Sequence, residues 1–414
     1  MAAGAAPTHA RGDARPHGPL GATARAVLRH ARLPRAEREP PAGPGVLPSG
    51  GAPRRRGDGR VTPKGNFLKP ALRGFEPYVP GQQPPDEDGW VKLNTNESPW
   101  PPSPRVLEAV RGAVDERLRL YPNPTGRAAR EEIARHHGLE PEQVMVGNGG
   151  DELIELCFRA FAGAGDRVAF APPTYPLFEP LCAIHEAVPV RHPLDADWGL
   201  PGGFATDAAA LKFLVNPNSP TGTWLDRERV AAVVEGYSGV VALDEAYVDF
   251  APEDRLDLLR AGVSNLLLLR TFSKSYALAG MRIGYALGDP SLIAALDLVK
   301  DSYNLDRLAI VAAAAAIRDT DYHDRLVGFV VAERAWLAEE LRRAGFQVVP
   351  SATNFLFARP PAAWPAAALY ATLRERKVLV RHYDREPIAG WFRVSVGTRQ
   401  QHEALLEALK EVMS

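Results

Sequence analysis

The chain has 414 residues, enough for two or three hydrophobic cores rather than one. Hydrophobic residues make up 45% and charged residues 24%, ordinary globular values, and a formal net charge of −1 gives the chain as a whole no electrostatic reason to seek nucleic acid or an acidic membrane. Cys157 and Cys182 sit in apolar surroundings without metal-ligand spacing, and no uninterrupted apolar run reaches the ~18 residues of a membrane span; a soluble, cytoplasmic protein with no metal and no disulfide framework is expected.

Residues 1–60 are rich in Arg, Ala, Pro and Gly and end in Arg54-Arg55-Arg56. Such a segment buries too little apolar surface to offset its ordering entropy and reads as a disordered, low-complexity tail. A start site assigned too far upstream, an organelle transit peptide and a nucleic-acid-binding arm compete with that reading. Residues 61–115 are assigned to an N-terminal segment associated with the smaller of two domains. A large domain is expected over 116–315, where short β-rich runs alternate with helical stretches, the sign of βαβ units and a mainly parallel sheet. Its strands are predicted over 143–146, 167–171, 211–215, 240–243, 266–269 and 283–287, with a helix over 152–161 and an Ala-rich buried helix over 309–317. A smaller α+β domain is expected over 316–414, with strands over 346–350, 354–357, 378–381 and 391–396 and helices over 322–344, 364–376 and 399–412.

The segment after each strand of the first group carries the functional signal. One strand leads into Gly147-Asn148-Gly149-Gly150-Asp151, the next into Pro172-Pro173-Thr174-Tyr175, the third into Asn216-Pro217-Asn218-Ser219-Pro220-Thr221-Gly222. The fourth is followed by Asp244-Glu245-Ala246-Tyr247 and the fifth by Arg270-Thr271-Phe272-Ser273-Lys274. Ligands of open α/β sheets bind beyond the carboxyl ends of the strands, and five such segments at one edge describe an active site.

Lys274, alone, reads as a solvated lysine between two serines. At the end of the fully apolar run 266–269 it becomes an amine that can be desolvated and kept partly neutral, as carbonyl chemistry requires. Asp244 is equally a turn former or a carboxylate that holds a cofactor's pyridinium nitrogen protonated, with Tyr247 near the ring's phenolate oxygen. Gly149-Gly150-Asp151, between strand and helix, makes an anion cradle, although glycines at such turns are common. It is neither the GxGxxG of dinucleotide folds nor a GxxxxGK[ST] loop. Arg282, Thr271 and Ser273 are candidate phosphate partners, and Tyr175 either packs or stacks on a ring.

These residues, with Leu93-Asn94-Thr95-Asn96-Glu97-Ser98-Pro99, Tyr121-Pro122 and Phe392-Arg393-Val394-Ser395-Val396-Gly397-Thr398-Arg399, resemble the fold-type I pyridoxal-phosphate aminotransferases, most closely the histidinol-phosphate aminotransferase branch, from about residue 72 to the C-terminus. The resemblance implies an α/β fold with a mainly parallel large-domain sheet flanked by helices plus a smaller α+β domain. It implies pyridoxal 5′-phosphate on Lys274 as a Schiff base, Asp244 on the pyridine nitrogen, Tyr247 on the phenolate oxygen and Tyr175 over the ring. Gly150, Asp151, Thr271, Ser273 and Arg282 would surround the phosphate, and Tyr121 would reach the phosphate of a partner subunit in a homodimer. Arg393 would bind the substrate's anionic end, with Arg381, Asn354, Tyr78 and Asn96 lining the pocket.

One departure stands out: the family's usual Asn-Pro-Thr-Gly has its Asn near the phenolate oxygen, whereas this chain has Ser219 before Pro220-Thr221-Gly222, so Ser219, Asn218 or Asn216 takes that place. The reaction expected is ping-pong amino transfer from L-histidinol phosphate to 2-oxoglutarate, with Lys274 moving the proton. Aromatic amino acid transamination of relaxed specificity and threonine-phosphate decarboxylation are the alternatives on a similar scaffold. A catalytically silent binding module would lack the lysine or aspartate, and a nicotinamide dehydrogenase would need a strand leading into GxGxxG.

Overall fold

The computed structural model describes residues 68–73, 81–85 and 89–413; the expectations for residues 1–60 and for Tyr78 lie outside the described residues. The strands are β1 (Val91–Leu93), β2 (Val144–Gly147), β3 (Arg167–Phe170), β4 (Val188–Arg191), β5 (Leu211–Val215), β6 (Val240–Asp244), β7 (Leu266–Thr271), β8 (Gly284–Gly288), β9 (Gln347–Val349), β10 (Phe355–Arg359), β11 (Val378–His382) and β12 (Phe392–Ser395). They form a seven-stranded sheet in the order β2-β8-β7-β6-β5-β3-β4 and a five-stranded sheet in the order β1-β11-β12-β10-β9. Among the described residues, no helix is long and apolar enough to cross a membrane.

The seven-stranded sheet is parallel at β4-β3-β5-β6-β7, while β8 runs antiparallel to both β7 and β2. Strands β5, β7 and β8 are buried along their whole length, as near-continuous apolar runs covered on both faces should be. The two-residue repeat sorts the leucines of β7: Leu266 and Leu268 join the core on one face, Leu267 and Leu269 the core on the other. On the first face lie the helices Pro104–Ala113, Arg127–His137 and Arg307–Arg318, the last capped by Asp306, whose carboxylate accepts from the N–H groups of Leu308 and Ala309 at 2.8 and 2.9 Å. On the second face lies the helix Gly149–Phe161 with Leu153, Leu156, Cys157 and Phe158.

Two strands escape the sequence reading for physical reasons. β4 contains Pro189, which argues against an interior strand, but β4 is the edge strand and needs no donor on its outer side. β1 is three residues long, too short to show a period, and pairs in parallel with β11.

In the five-stranded sheet the same alternation decides which side chains reach the site. On β12, Phe392 and Val394 enter a core with Leu337, Leu341, Leu369, Leu373 and Leu405. Arg393 and Ser395 therefore project to the opposite face. On β10, Leu356 and Ala358 go to that same core, and Phe355 and Phe357 to the other side.

Candidate active site

The carboxyl ends of β2, β5, β6 and β7 open onto one cavity of about 380 Å³, within the range of small-molecule sites. Its lining includes Gly150, Asp151, Tyr175, Ser219, Asp244, Tyr247, Thr271, Ser273, Lys274 and Arg282. Because β8 runs antiparallel, its beginning shares this edge: Gly284 is the register partner of both Gly147 and Thr271. That reversal brings Arg282 to the strand-end cluster although Arg282 precedes its strand.

Arg282 adopts a left-handed backbone, φ 51°, and its guanidinium reaches Asp151 Oδ2 at 3.3 Å. The glycines make room for it. A Cβ on Gly149, where φ is 83°, would lie 2.8 Å from Arg282 Nη2, and a Cβ on Gly284 would lie 2.7 Å from the Gly149 carbonyl carbon. Thr271 Oγ1 sits 3.0 Å from Ser273 Oγ and 3.1 Å from the Ile283 carbonyl. Guanidinium, hydroxyls and the start of the helix Gly149–Phe161 thus converge as an anion site needs them to. Tyr175 donates to Asp151 Oδ1 at 2.7 Å, and burial, then the Asp151 charge, push its phenol well above the ordinary range.

Asp244 ends β6 and is 8% exposed. The only hydrogen bond to its carboxylate among the described residues comes from the Ala246 N–H, at 2.9 Å. Burial pushes the carboxyl up to about 6, with the charges of Asp151 and Glu245 adding to the rise and the Ala246 bond and Lys274 opposing it. An acid placed so has unspent demand for a cationic donor. Lys274 Nζ lies 5.6 Å from the centre of the Tyr247 ring, and the Tyr247 hydroxyl accepts from Asn96 Nδ2 at 3.0 Å.

Asn96 belongs to the segment after β1 and has φ 55°, a left-handed conformation that asparagine tolerates. Ser395 fixes it, accepting from the Asn96 N–H at 2.8 Å and donating to Oδ1 at 3.1 Å, and Asn354 Nδ2 donates to its carbonyl at 3.0 Å. Asn354 Oδ1 is buried and, among the described residues, has no hydrogen-bond partner. Arg393 donates to Ser219 Oγ at 3.3 Å and to the Asn94 carbonyl at 3.1 Å, its guanidinium 5.4 Å from the centre of the Phe355 ring. Arg381 is its direct cross-strand partner, so the two arginines leave the same face of the sheet side by side.

Of the residues expected to line the substrate pocket, Arg393 and Asn96 adjoin this cavity through Ser219 and Tyr247 rather than lining it, with Arg381 and Asn354 next to them. Asn218 and Tyr121, expected at the cofactor, stand elsewhere. Asn218 turns away from the cavity: its amide donates to the Pro173 carbonyl at 3.0 Å and Thr221 Oγ1 at 2.8 Å, and its Oδ1 accepts from Thr174 at 3.0 Å. A buried amide must satisfy all its groups, and here the loop satisfies them, so the expectation that Asn218 lines the cofactor pocket is corrected; Asn216 likewise bonds Leu225, and Ser219 alone of the three lines the cavity. Tyr121 is 81% exposed and stacks on Tyr303 with ring centres 4.5 Å apart, outside the cavity of its own chain.

The sequence reading assigned no role to Glu97 and Thr95, which also line the cavity. Burial would raise the Glu97 carboxyl, but Lys92 at 2.5 Å and Thr95 at 2.9 Å hold it below the usual carboxylate value. Both stand in the run Leu93–Pro99, where an acid a few residues after a strand was a visible signal.

The residues present suit pyridoxal phosphate by their donor set: an anion cradle, an unpaired buried acid, an aromatic face and one lysine around one cavity. The family description "Aminotransferase class I and II" matches residues 88–409. The histidinol-phosphate aminotransferase of Citrifermentans bemidjiense is 44% identical over 338 residues, covering 81% of this chain and 95% of the relative. That of Acetobacter pasteurianus is 44% identical over 352 residues, covering 84% and 98%. The crystal structure of histidinol-phosphate aminotransferase from Sinorhizobium meliloti in complex with pyridoxal-5′-phosphate superposes with a TM-score of 0.77 at 29% identity, covering 84% of this chain and 98% of that one. The chain belongs to the class I and II aminotransferase family, in the branch of the histidinol-phosphate aminotransferases.

Proposed function

We propose that the chain transfers the amino group of L-histidinol phosphate to 2-oxoglutarate in histidine biosynthesis, with pyridoxal 5′-phosphate held on Lys274. The observation that carries the substrate class is the cross-strand pair Arg381 and Arg393 facing the cavity side of the five-stranded sheet. Two arginines side by side on one sheet face suit a phosphate ester, and the planar fork of Arg393 also suits the side-chain carboxylate of glutamate.

Bound cofactor supplies an electron sink for the carbanion formed at the substrate carbon. Asp244 would hold the pyridine nitrogen protonated, and Tyr247, oriented by Asn96, would donate to the phenolate oxygen. Gly150, Asp151, Thr271, Ser273 and Arg282, which line one cavity, would bind and orient the phosphate. Lys274 Nζ would take the proton from the substrate carbon and deliver it to the cofactor's carbon, the transfer that amino exchange requires. Arg393 and Arg381 hold the anionic end, and Asn354 Oδ1 offers an acceptor to the substrate.

The proposal extends to a homodimer in which Tyr121 reaches the partner's site. Val114, Leu118, Leu120 and Tyr121 are exposed within one short stretch of chain, and Tyr121 stacks on the exposed Tyr303. A run of exposed large apolar side chains is what a subunit interface offers. A cytoplasmic, reducing compartment suits the two buried free cysteines, Cys157 and Cys182.

Half-reaction rates on histidinol phosphate, phenylalanine and threonine phosphate test the assignment. Histidinol phosphate should react fastest; preference for phenylalanine would overturn the substrate, and carbon dioxide release from threonine phosphate would overturn the reaction.

A further inference from the structure

Lys274 and Tyr247 stand on different turns, after β7 and β6, and each is followed closely by a polar residue that has no part in binding or proton transfer. Ser275 is 1% exposed and Asp249 lies in the single helical turn Val248–Phe250 that Tyr247 begins. The Ser275 hydroxyl donates to Asp249 Oδ2. On the far side of Asp249, His323 Nε2 lies 3.5 Å from the same oxygen, and His323 stacks on Tyr276 with ring centres 4.3 Å apart. Asp249 is thus the one carboxylate, among the described residues, that touches the turn of Lys274 from the turn of Tyr247.

We propose that Asp249 is a positioning residue for Lys274: through the Ser275 hydroxyl it locks the lysine turn to the tyrosine turn and sets the direction in which the Lys274 amine enters the cavity. The inference rests on the reading of Lys274 as the cofactor lysine. Lysine has a long, flexible stem with large rotamer entropy, so its direction depends on how firmly its backbone is held. Around it the backbone is tight: the Ala277 N–H bonds the Lys274 carbonyl at 3.2 Å, and Ala277 has φ 57°. A buried hydrogen bond to an ionised acceptor is stronger than a neutral one, and small misplacements of a reacting atom cost large factors in rate. Asp249 is held ionised: burial raises its carboxyl, but His323, Arg270 and Ser275 together bring it well below the ordinary value.

The readout is the rate at which cofactor-free protein becomes covalently labelled at Lys274 by pyridoxal phosphate, stopped with borohydride and quantified by mass spectrometry at that residue. Ser275→Ala and Asp249→Ala should each slow labelling about tenfold, and the double variant should be no slower than the worse single one, because both remove the same bond. Ser275→Thr, which keeps the hydroxyl, should label within about threefold of the wild type. Ser275→Ala carries no risk of a buried unpaired charge being created in its own side chain, so the series stands even where Asp249→Ala fails to fold. Wild-type labelling with an equal rate in Ser275→Ala overturns the inference alone, as do losses that multiply in the double variant. A wild type that labels at other lysines but never at Lys274 overturns the functional reading and this inference with it.

Discussion

Asp244 and Glu245 are consecutive residues at the end of β6, and the pleat sends them to opposite faces. Asp244 meets the cavity with one backbone N–H for a partner and a carboxyl pushed up to about 6 by burial first. Glu245, 1% exposed, is tied on every side: Arg270 Nε donates to it at 2.8 Å, the Arg255 N–H at 3.1 Å, and Arg270 also binds Asp254 at 2.8 Å. Burial alone would lower the Arg270 guanidinium, but Glu245 and Asp254 hold it well above its ordinary value. The same chemical group, one residue apart, is structural where its charge is matched and functional where it is left unmatched. Burial alone does not separate the two; satisfaction does.

The comparison breaks most sharply through Lys274. On the cavity face a side chain can be removed without disturbing the core, so Lys274→Ala should lower turnover by about 10⁴-fold, the upper end for loss of a general base, since the same amine anchors the cofactor. Its stability to urea should shift by no more than about 0.5 kcal/mol. A large loss of stability would place Lys274 on the structural side of the divide.

Arg270→Met makes the converse case. It leaves Glu245 buried without its cation, at a cost of about 3–5 kcal/mol in urea unfolding. Adding Glu245→Leu should return much of that loss, because an apolar pair replaces the ion pair at similar volume. A double variant no more stable than Arg270→Met would show that Glu245 was not the group left unmatched.

Asp244→Asn acts with the opposite sign on stability. The folded carboxyl holds its proton up to about 6 against an ordinary 3.8, so folding takes up a proton between those values. Stability of the cofactor-free protein therefore falls as pH rises through that window and stays lowered above it, by at most about 3 kcal/mol. Asparagine, which cannot ionise, should be the more stable variant at pH 8, with the gain shrinking toward pH 5, while activity drops by roughly 10²–10³-fold. Equal urea midpoints at pH 8 would mean the Asp244 charge is matched after all. In the wild type, cofactor affinity should weaken as pH falls through about 6, when the carboxylate is lost.

Much of this contrast is legible in the amino-acid sequence alone. The apolar runs of β5 to β7 locate the sheet, and the polar residue after each run locates the edge. Asp244 and Lys274 are readable because a charge at the end of an apolar strand has to be placed somewhere special. Glu245 is not, since its partners Arg270 and the Arg255 N–H lie 25 and 10 residues further on and nothing local marks them. Arg282 is a candidate from the sequence, but what carries it to the strand ends is the reversed direction of β8, which a strand-sized run does not reveal. Asn218 looks equivalent to Ser219 in sequence, because which of two neighbours in a loop faces inward is decided by the Pro173 carbonyl and Thr221, contacts that no local pattern encodes.

Ser219 stands on the boundary between the two kinds of residue, and its substitution gives the smallest and most diagnostic effect. Its hydroxyl accepts from Arg393 Nη1 at 3.3 Å, a long bond, while Arg393 also holds the Asn94 carbonyl at 3.1 Å. Removing a weak acceptor from a guanidinium that keeps another should cost about 0.5–1 kcal/mol, or two- to fivefold. If Ser219 acts by orienting Arg393, Ser219→Ala raises KM for both anionic substrates and leaves kcat and the visible absorption of the bound cofactor in place. If the hydroxyl instead meets the phenolate oxygen, the absorption band and its pH midpoint move and kcat falls. The hydrogen bond to Arg393 favours the first outcome, and it makes Ser219 a residue whose charge-bearing partner is matched by it only in part, intermediate between Asp244 and Glu245.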